Sequence, residues 1–217
     1  MNQKEKNDFP KERILNEAEI LFAQRGYHAV SIREITNAAQ CNLAAVNYHF
    51  GNKENLYLEV FRARWMPRAR RVIDCFDKTL ASQDSLSPRA VIQALTKAFL
   101  EGPLSDEERQ RHHLLMAREL AQPTKALELV AEQIMGPFFQ KLADKLRVFM
   151  PENLGEECLK LNILSVFAVV LYFNFARVAV TRITGREYDP DFKARLMEQI
   201  IQFSLKGLGG SEKGDLR

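Results

Sequence analysis

Between Asn42 and Lys53 the chain reads NLAAVNYHFGNK, and most of its polar side chains can touch a nucleic acid. The amides of Asn42 and Asn47 can donate to and accept from base edges, while the Tyr48 hydroxyl and the His49 imidazole can reach phosphate oxygens beside a groove. Ala44 and Ala45 keep one helical face narrow enough to enter a major groove. Gly51 suits the left-handed stop of a helix and Asn52 the N-cap of the next. The Lys53 ammonium then adds to the positive end of that new helix, where a phosphate is held. The pattern reads as a groove reader followed by a backbone anchor. A competing reading of the same residues is a set of three short core helices, with Tyr48 and Phe50 as packing groups.

Reactive side chains elsewhere form no constellation. Glu108 and His112 are spaced to share a metal on one helical face, but no third ligand has motif spacing. There is no GxSxG, phosphate-binding loop or dinucleotide fingerprint, so no metal, no cofactor and no catalysis is expected. His112 and His113 follow DEERQR and should lie on a solvated charged face. The cluster RARWMPRARR, with Arg62, Arg64, Arg68, Arg70 and Arg71, also reads as a solvated helix face, or as a source of nonspecific attraction to DNA.

The elements that must position the reader are legible as helical periodicity. After a polar start, MNQKEKNDF, expected to be disordered over residues 1–9, Ile14, Leu15, Ala18, Leu21 and Phe22 share one face of a helix running from Pro10 to a stop at Gly26. Ser31 and Glu34 have capping-box spacing and should start a short helix over 32–39. A third short helix is expected over 44–50 and a fourth from Asn52, kinked or ended near Pro67. Beyond a loop at 82–88, apolar spacing and breakers predict helices over 88–101, 106–121, 124–149 (bent at Pro137), 156–183 and 190–207. A tail over 209–217 is expected to be disordered. No strand pattern is found, so the chain is expected to be all-α.

The totals agree with a helical globular protein. Of 217 residues 46% are hydrophobic, enough for one sizeable core or two modest ones. Residues 1–80 hold 13 Lys and Arg against 10 Asp and Glu, whereas 81–217 hold 18 of each, so the net charge of +3 resides in the first third. A local basic excess is the footprint of a polyanion-binding module. Cys41, Cys75 and Cys158 are odd in number and widely spaced, which points away from a disulfide framework and toward a reducing, cytoplasmic setting. The apolar run ILSVFAVVLYFNFARVAV contains Asn174 and Arg177, and a buried helix is expected there, not a membrane span.

The run GYHAVSIREITNAAQCNLAAVNYHFGNKENLYLEV resembles the N-terminal domain of TetR-family transcriptional regulators at Gly26, Tyr27, Ser31, Ile32, Ile35, Ala38, Ala39, Tyr48, His49, Phe50, Lys53, Leu56 and Tyr57. It departs from the family at Cys41 and Asn42, where a glycine often eases the turn. The later segments MAREL and LYFNFARVAVTRITG are similar to the CecR-like subgroup. The resemblance implies an N-terminal three-helix helix-turn-helix DNA-binding domain (10–56), a connecting helix (57–77) and a C-terminal helical ligand-binding and dimerisation domain (78–208). It implies Ser31, Arg33, Asn42, Ala44, Ala45, Asn47, Tyr48, His49 and Lys53 as DNA-contacting positions, double-stranded operator DNA as partner, and a homodimer with no membrane association. The dimer would form through the last two helices, with Val166, Val170, Phe192, Leu196, Ile200 and Phe203 on the contact. A small, largely apolar effector would meet His113, Met116, Arg118, Phe139, Tyr172, Phe173, Asn174 and Arg177, although pairing of Arg177 with an acidic residue such as Glu119 is the stronger expectation. The expected function is a repressor released by its effector; a helical ligand-carrying or scaffolding dimer is the rival.

Overall fold

The computed structural model describes residues 3–208, with side chains from Pro10 onward. Residues 1–2 and 209–217, where irregular tails are expected, lie outside the described residues. Helix α1 (Gln3–Arg25) starts well before Pro10. The early segment is rich in Gln, Lys and Glu, which favour helix without marking an apolar face, so periodicity could not see it. α1 ends at Gly26, whose φ of +81° no β-carbon would tolerate easily and whose amide bonds the Phe22 carbonyl at 2.8 Å.

Local chemistry sets the next boundaries. α2 (Ile32–Ala38) opens on a complete capping box between Ser31 and Glu34. It closes at Gln40, which takes φ +50°, while the Gln40 amide bonds Asn37 and the Cys41 amide bonds Thr36. That is a Schellman closure, and it places the left-handed residue one position ahead of the missing glycine. α3 (Leu43–Phe50) is capped by Asn42 and stopped by Gly51 at φ +78°; α4 (Lys53–Val60) is capped by Asn52.

The chain continues through a π-helical turn (Phe61–Trp65) into α5 (Met66–Ala81), then α6 (Pro88–Leu100), α7 (Asp106–Ala121) and α8 (Lys125–Val130). A second π-helical turn (Ala131–Met135) leads into α9 (Gly136–Arg147), followed by α10 (Glu156–Phe175), α11 (Arg177–Thr184) and α12 (Pro190–Gly207). No strand occurs among the described residues. Each π turn stands just ahead of a proline, Pro67 or Pro137. A proline lacks its own amide donor and crowds the carbonyl of the preceding turn, and a wider π turn relieves both without ending the helix.

The helices group into two compact units that are not contiguous in sequence: Met1–Arg70 with Leu104–Met135, and Arg71–Pro103 with Gly136–Arg217. Thus α7 and α8 group with the N-terminal helices, a grouping that a sequential division at residue 78 does not anticipate. In the first unit Ile14, Leu15, Ala18 and Phe22 of α1 are buried together with Ile35, Val46, Leu56 and Tyr57, and α1 packs on α7. Glu19, 1% exposed, receives Arg68 of α5 at both carboxylate oxygens and Arg111 of α7 at 3.4 Å. Arg68 is therefore buried, not on a solvated face, whereas half-buried Arg64 pairs at the surface with Glu12 (2.6 Å) and Asn16 (2.8 Å).

In the second unit α6 packs against α9, α10 and α12. α10 is long and apolar enough to cross a membrane by composition, yet Leu159, Ile163, Val166, Val170 and Asn174 are buried within the unit. Val166, Val170, Leu196 and Ile200, expected at a dimer contact, are core residues of the single chain; Phe203 is 61% exposed. Because α10 is apolar on all sides, periodicity could not say which side faces inward. The helix expected over 156–183 breaks at Ala176 (φ −90°, ψ 25°), with no glycine or proline to announce it.

Replacing Glu19 with Ala should destabilise the protein by about 3–5 kcal/mol, because it leaves two guanidiniums facing an emptied buried site. Urea unfolding of the variant against the unmodified chain measures this; a loss below about 1 kcal/mol would mean that the ionic network does not hold α1, α5 and α7 together.

Candidate nucleic-acid interface

The outward face of α3 is open while its inner face is fixed. Val46 (0% exposed) and Phe50 (7%) anchor the helix, whereas Asn42, Ala44, Asn47 and Tyr48 are exposed and Ala45 and His49 half-buried. Tyr48, at 77% exposed, is no packing residue, and its ring meets that of His49 edge-on at 5.0 Å. The two asparagines differ in what they can offer. Asn42 Oδ1 accepts from the Ala45 amide at 2.9 Å, so that oxygen is committed to capping α3. Asn47 has no such capping bond, and its side chain is exposed.

Two helix N-termini flank this face. Ser31 and exposed Arg33 stand at the start of α2, where Glu34 accepts from both the Ser31 amide (2.8 Å) and its hydroxyl (2.7 Å). These bonds, with Arg25 at 2.7 Å, hold the Glu34 carboxyl down at about 2. At the start of α4 the Lys53 ammonium sits 4.5 Å from the centre of the Tyr27 ring. Partial burial lowers its pKa, against the opposing pull of the Glu34 carboxylate. A cation stacked on an aromatic face is held in place yet keeps donors to spare for an anion.

Behind the reader lies support from residues distant in sequence. The Tyr57 ring meets Tyr27 at 4.9 Å and Phe22 edge-on at 4.8 Å, and its hydroxyl donates to Glu119 of α7 at 2.6 Å. Arg118 donates to the Gln24 carbonyl at 2.6 Å, closing the end of α1, and Lys125 pairs with Glu54 at 3.0 Å. No spacing rule in the sequence links these partners.

Comparison with known proteins decides what this arrangement belongs to. Residues 14–60 match the model of bacterial regulatory proteins of the tetR family, and residues 88–208 match the C-terminal domain of the HTH-type transcriptional dual regulator CecR. The chain is a TetR-family transcriptional regulator of the CecR-like subgroup. It is 24% identical over 205 residues to the dual regulator CecR of Shigella flexneri, covering 90% of this chain and 89% of that one. Over 64 residues, 28% of this chain and 34% of the relative, it is 33% identical to the regulator QacR of Staphylococcus aureus. A TetR-like regulator from Rhodococcus sp. RHA1 shares the fold at a TM-score of 0.63 and 16% identity, over 93% of this chain and 97% of that one.

The residues named for an effector fall into both compact units of this TetR-family chain. His113, Met116 and Arg118 lie in the first, where Met116 is buried and Arg118 is tied to Gln24. Phe139, Tyr172, Phe173, Asn174 and Arg177 lie in the second. There Arg177 does not meet Glu119; its guanidinium donates to the Leu100 carbonyl at 3.0 Å and lies 4.9 Å from the centre of the Tyr188 ring. Phe167 gathers Phe99 (5.2 Å) and Phe139 (5.0 Å) into an aromatic cluster. A separate apolar recess of about 430 Å³, lined by Pro88, Phe149, Met150 and Leu205 among others, includes none of the residues named for an effector. Glu108 and His112 do not face a shared metal position: Glu108 caps α7 and approaches Arg68, and no cluster of three potential ligands occurs among the described residues.

His112 departs furthest from its expected place on a solvated face. Its ring stacks on Trp65 at 4.3 Å, Trp65 donates to its backbone carbonyl at 3.0 Å, and its Nδ1 is sealed with no hydrogen-bond partner among the described residues. Burial first, then the neighbouring His113 and Arg68, push its pKa down to about 3. The unfolded chain takes up a proton at this residue near pH 6.5, so stability present above that pH is lost progressively as pH falls toward 3, at up to about 1.4 kcal/mol per pH unit. Replacing His112 with Phe, which keeps a stacked ring without titration, should shrink the loss of stability between pH 7 and pH 5 by roughly 1–2 kcal/mol, read by urea unfolding at the two pH values.

Proposed function

We propose that this regulator binds a pseudo-palindromic DNA operator as a homodimer, represses from it, and is released by a small, largely apolar effector. The observation that carries the DNA half is the face of α3, narrow and polar outside, anchored by Val46 and Phe50 inside, and flanked by the starts of α2 and α4. Asn47 reads a base edge; Ser31, Arg33, Tyr48, His49 and Lys53 hold the backbone; Ala44 and Ala45 admit the helix to the groove. Asn42 serves chiefly as the cap that fixes the start of α3.

A dimer supplies two such readers about 34 Å apart on one face of the duplex. Its support is an apolar stripe that the single chain leaves open: Leu161 (55% exposed), Leu164 (46%), Tyr172 (53%) and Phe175 (40%) on α10, and Val178 (73%) and Ile183 (78%) on α11. The four on α10 recur at helical spacing along one side, opposite the buried row of Val166 and Val170, and monomers rarely leave so much apolar surface open. Phe203 of α12 adds to the exposed set, while Phe192 turns to Tyr188 at 5.4 Å. The effector is drawn to the second unit by its aromatic cluster, with Asn174 and Arg177 as the polar groups that orient it. For release, the effector must prefer the conformation that fits the operator less well. The cytoplasm, where DNA and small molecules are both within reach, is the setting this function requires.

Sequencing the DNA retained from a genomic fragment library tests the DNA reading: a pseudo-palindromic site should be enriched, and uniform recovery would favour a ligand carrier instead. On the recovered site, Lys53→Ala should weaken binding to all sequences and reduce the salt slope by about 1, whereas Asn47→Ala should relax discrimination at one base pair by about 1–3 kcal/mol. Equal losses on the site and on random DNA would remove Asn47 as a reader. Leu164→Glu, at an open position of α10, should give monomers in analytical ultracentrifugation without loss of helix content by circular dichroism; an unchanged dimer would move the interface elsewhere.

A further inference from the structure

Glu119 lies at the inner end of α7 at 0% exposure, yet its hydrogen bonds come from neutral donors. Oε2 accepts from the Thr124 amide (3.0 Å) and the Leu127 amide (3.0 Å), and so fixes the start of α8. Oε1 accepts from the Tyr57 hydroxyl at 2.6 Å and is also within 3.0 Å of Thr124 Oγ1. One carboxylate thus ties the α7–α8 corner to the underside of α4.

Tyr57 carries that tie outward. Its side chain, 1% exposed, lies against the Tyr27 ring at 4.9 Å, and the outer side of Tyr27 carries the Lys53 ammonium at 4.5 Å. Lys53 and Tyr57 are one helical turn apart on α4, so they share a face. Ring contacts of this kind are soft, about 0.5–1.5 kcal/mol each, and leave a tyrosine some freedom to tilt. A 2.6 Å bond from a hydroxyl to a buried carboxyl oxygen is short and directional. It therefore sets the ring angle, and with it the surface on which Lys53 rests. The parallel link between Lys125 and Glu54 joins side chains that are 66% and 44% exposed, a pairing in which solvent screening leaves little energy.

We propose that Glu119 is a positioning residue for DNA binding, acting through Tyr57 and Tyr27 to place the Lys53 ammonium against a phosphate. The proposal rests on the reading of Lys53 as a phosphate anchor. It makes the α7–α8 corner, remote in sequence from the helix-turn-helix, a determinant of its grip.

A double-mutant cycle on the full-length chain tests the coupling, with mixed-sequence double-stranded DNA as the probe because a phosphate contact needs no operator. Tyr57→Phe keeps the ring and removes the hydroxyl. It should weaken DNA binding by about 3- to 10-fold, the scale of one lost hydrogen bond, and by less than about 2-fold once Lys53 is already Ala. Thermal melting should fall by the same amount in both backgrounds, since the fold loses the same bond in each. Glu119→Gln, whose amide oxygen keeps the Thr124 and Leu127 amides while its NH2 replaces the carboxyl oxygen that accepts from the Tyr57 hydroxyl, should give the same non-additive pattern at smaller size. Equal losses of DNA binding with and without Lys53 would make the bond merely structural and overturn the coupling alone. If Lys53→Ala leaves both affinity and salt slope unchanged, the phosphate anchor falls and the coupling with it.

Discussion

A carboxylate on the inner face of a helix that must also pack apolar residues is a demanding choice, and in this chain Glu19 makes it. Its charge cannot stay in the core alone, so guanidiniums are drawn in from α5 and from α7, and those helices are fixed against α1 at the same point. The contacts that matter for DNA reading lie along the line this sets. Trp65 stacks on His112, Tyr57 reaches Glu119, and Arg118 closes the end of α1, all between the N-terminal helices and α7. A helix that sequence order would assign elsewhere thereby becomes the back wall of the reading head.

This back wall explains how α3 can afford its outer face. A short helix with small and polar residues outward has little stability of its own. It is held by two buried side chains, by an asparagine cap at one end and by a left-handed glycine at the other. The groups free to face DNA are those the fold does not use, which separates Asn47 from Asn42 although the residue type is the same.

Much of the local structure was legible because local chemistry decides it. The Ser31 and Glu34 pair, the Asn52 cap and the Gly26 and Gly51 stops mark boundaries that the structure places within a residue or so. At Gln40, one position ahead of Cys41, the left-handed conformation is found on an ordinary side chain because the closure of α2 demands it. What remained hidden was tertiary. α10 is apolar all round, so nothing in its periodicity separated Val166 and Val170, which face the core, from Leu161 and Leu164, which do not. Pro67 and Pro137 announced a disturbance but not its form, a widened turn that keeps the helix going. The partners of Tyr57, Glu19 and His112 lie far along the chain, beyond any window that reads spacing.

The division of the chain into two interleaved units has a consequence for how such proteins can be recombined. A DNA-reading head is commonly treated as a cassette that ends soon after its helix-turn-helix. Here a cut near residue 60 would carry Tyr57 away from its acceptor and leave Glu119 behind, a buried carboxylate with its tyrosine donor gone. A transplant that keeps the head intact must bring residues 104–135 with it, spliced at positions that are separate in the gene but adjoining in the fold. Inheritance of binding specificity in this chain is thus a matter of two segments travelling together, and grafts that move only the first should be judged as core mutants before they are judged as readers of DNA.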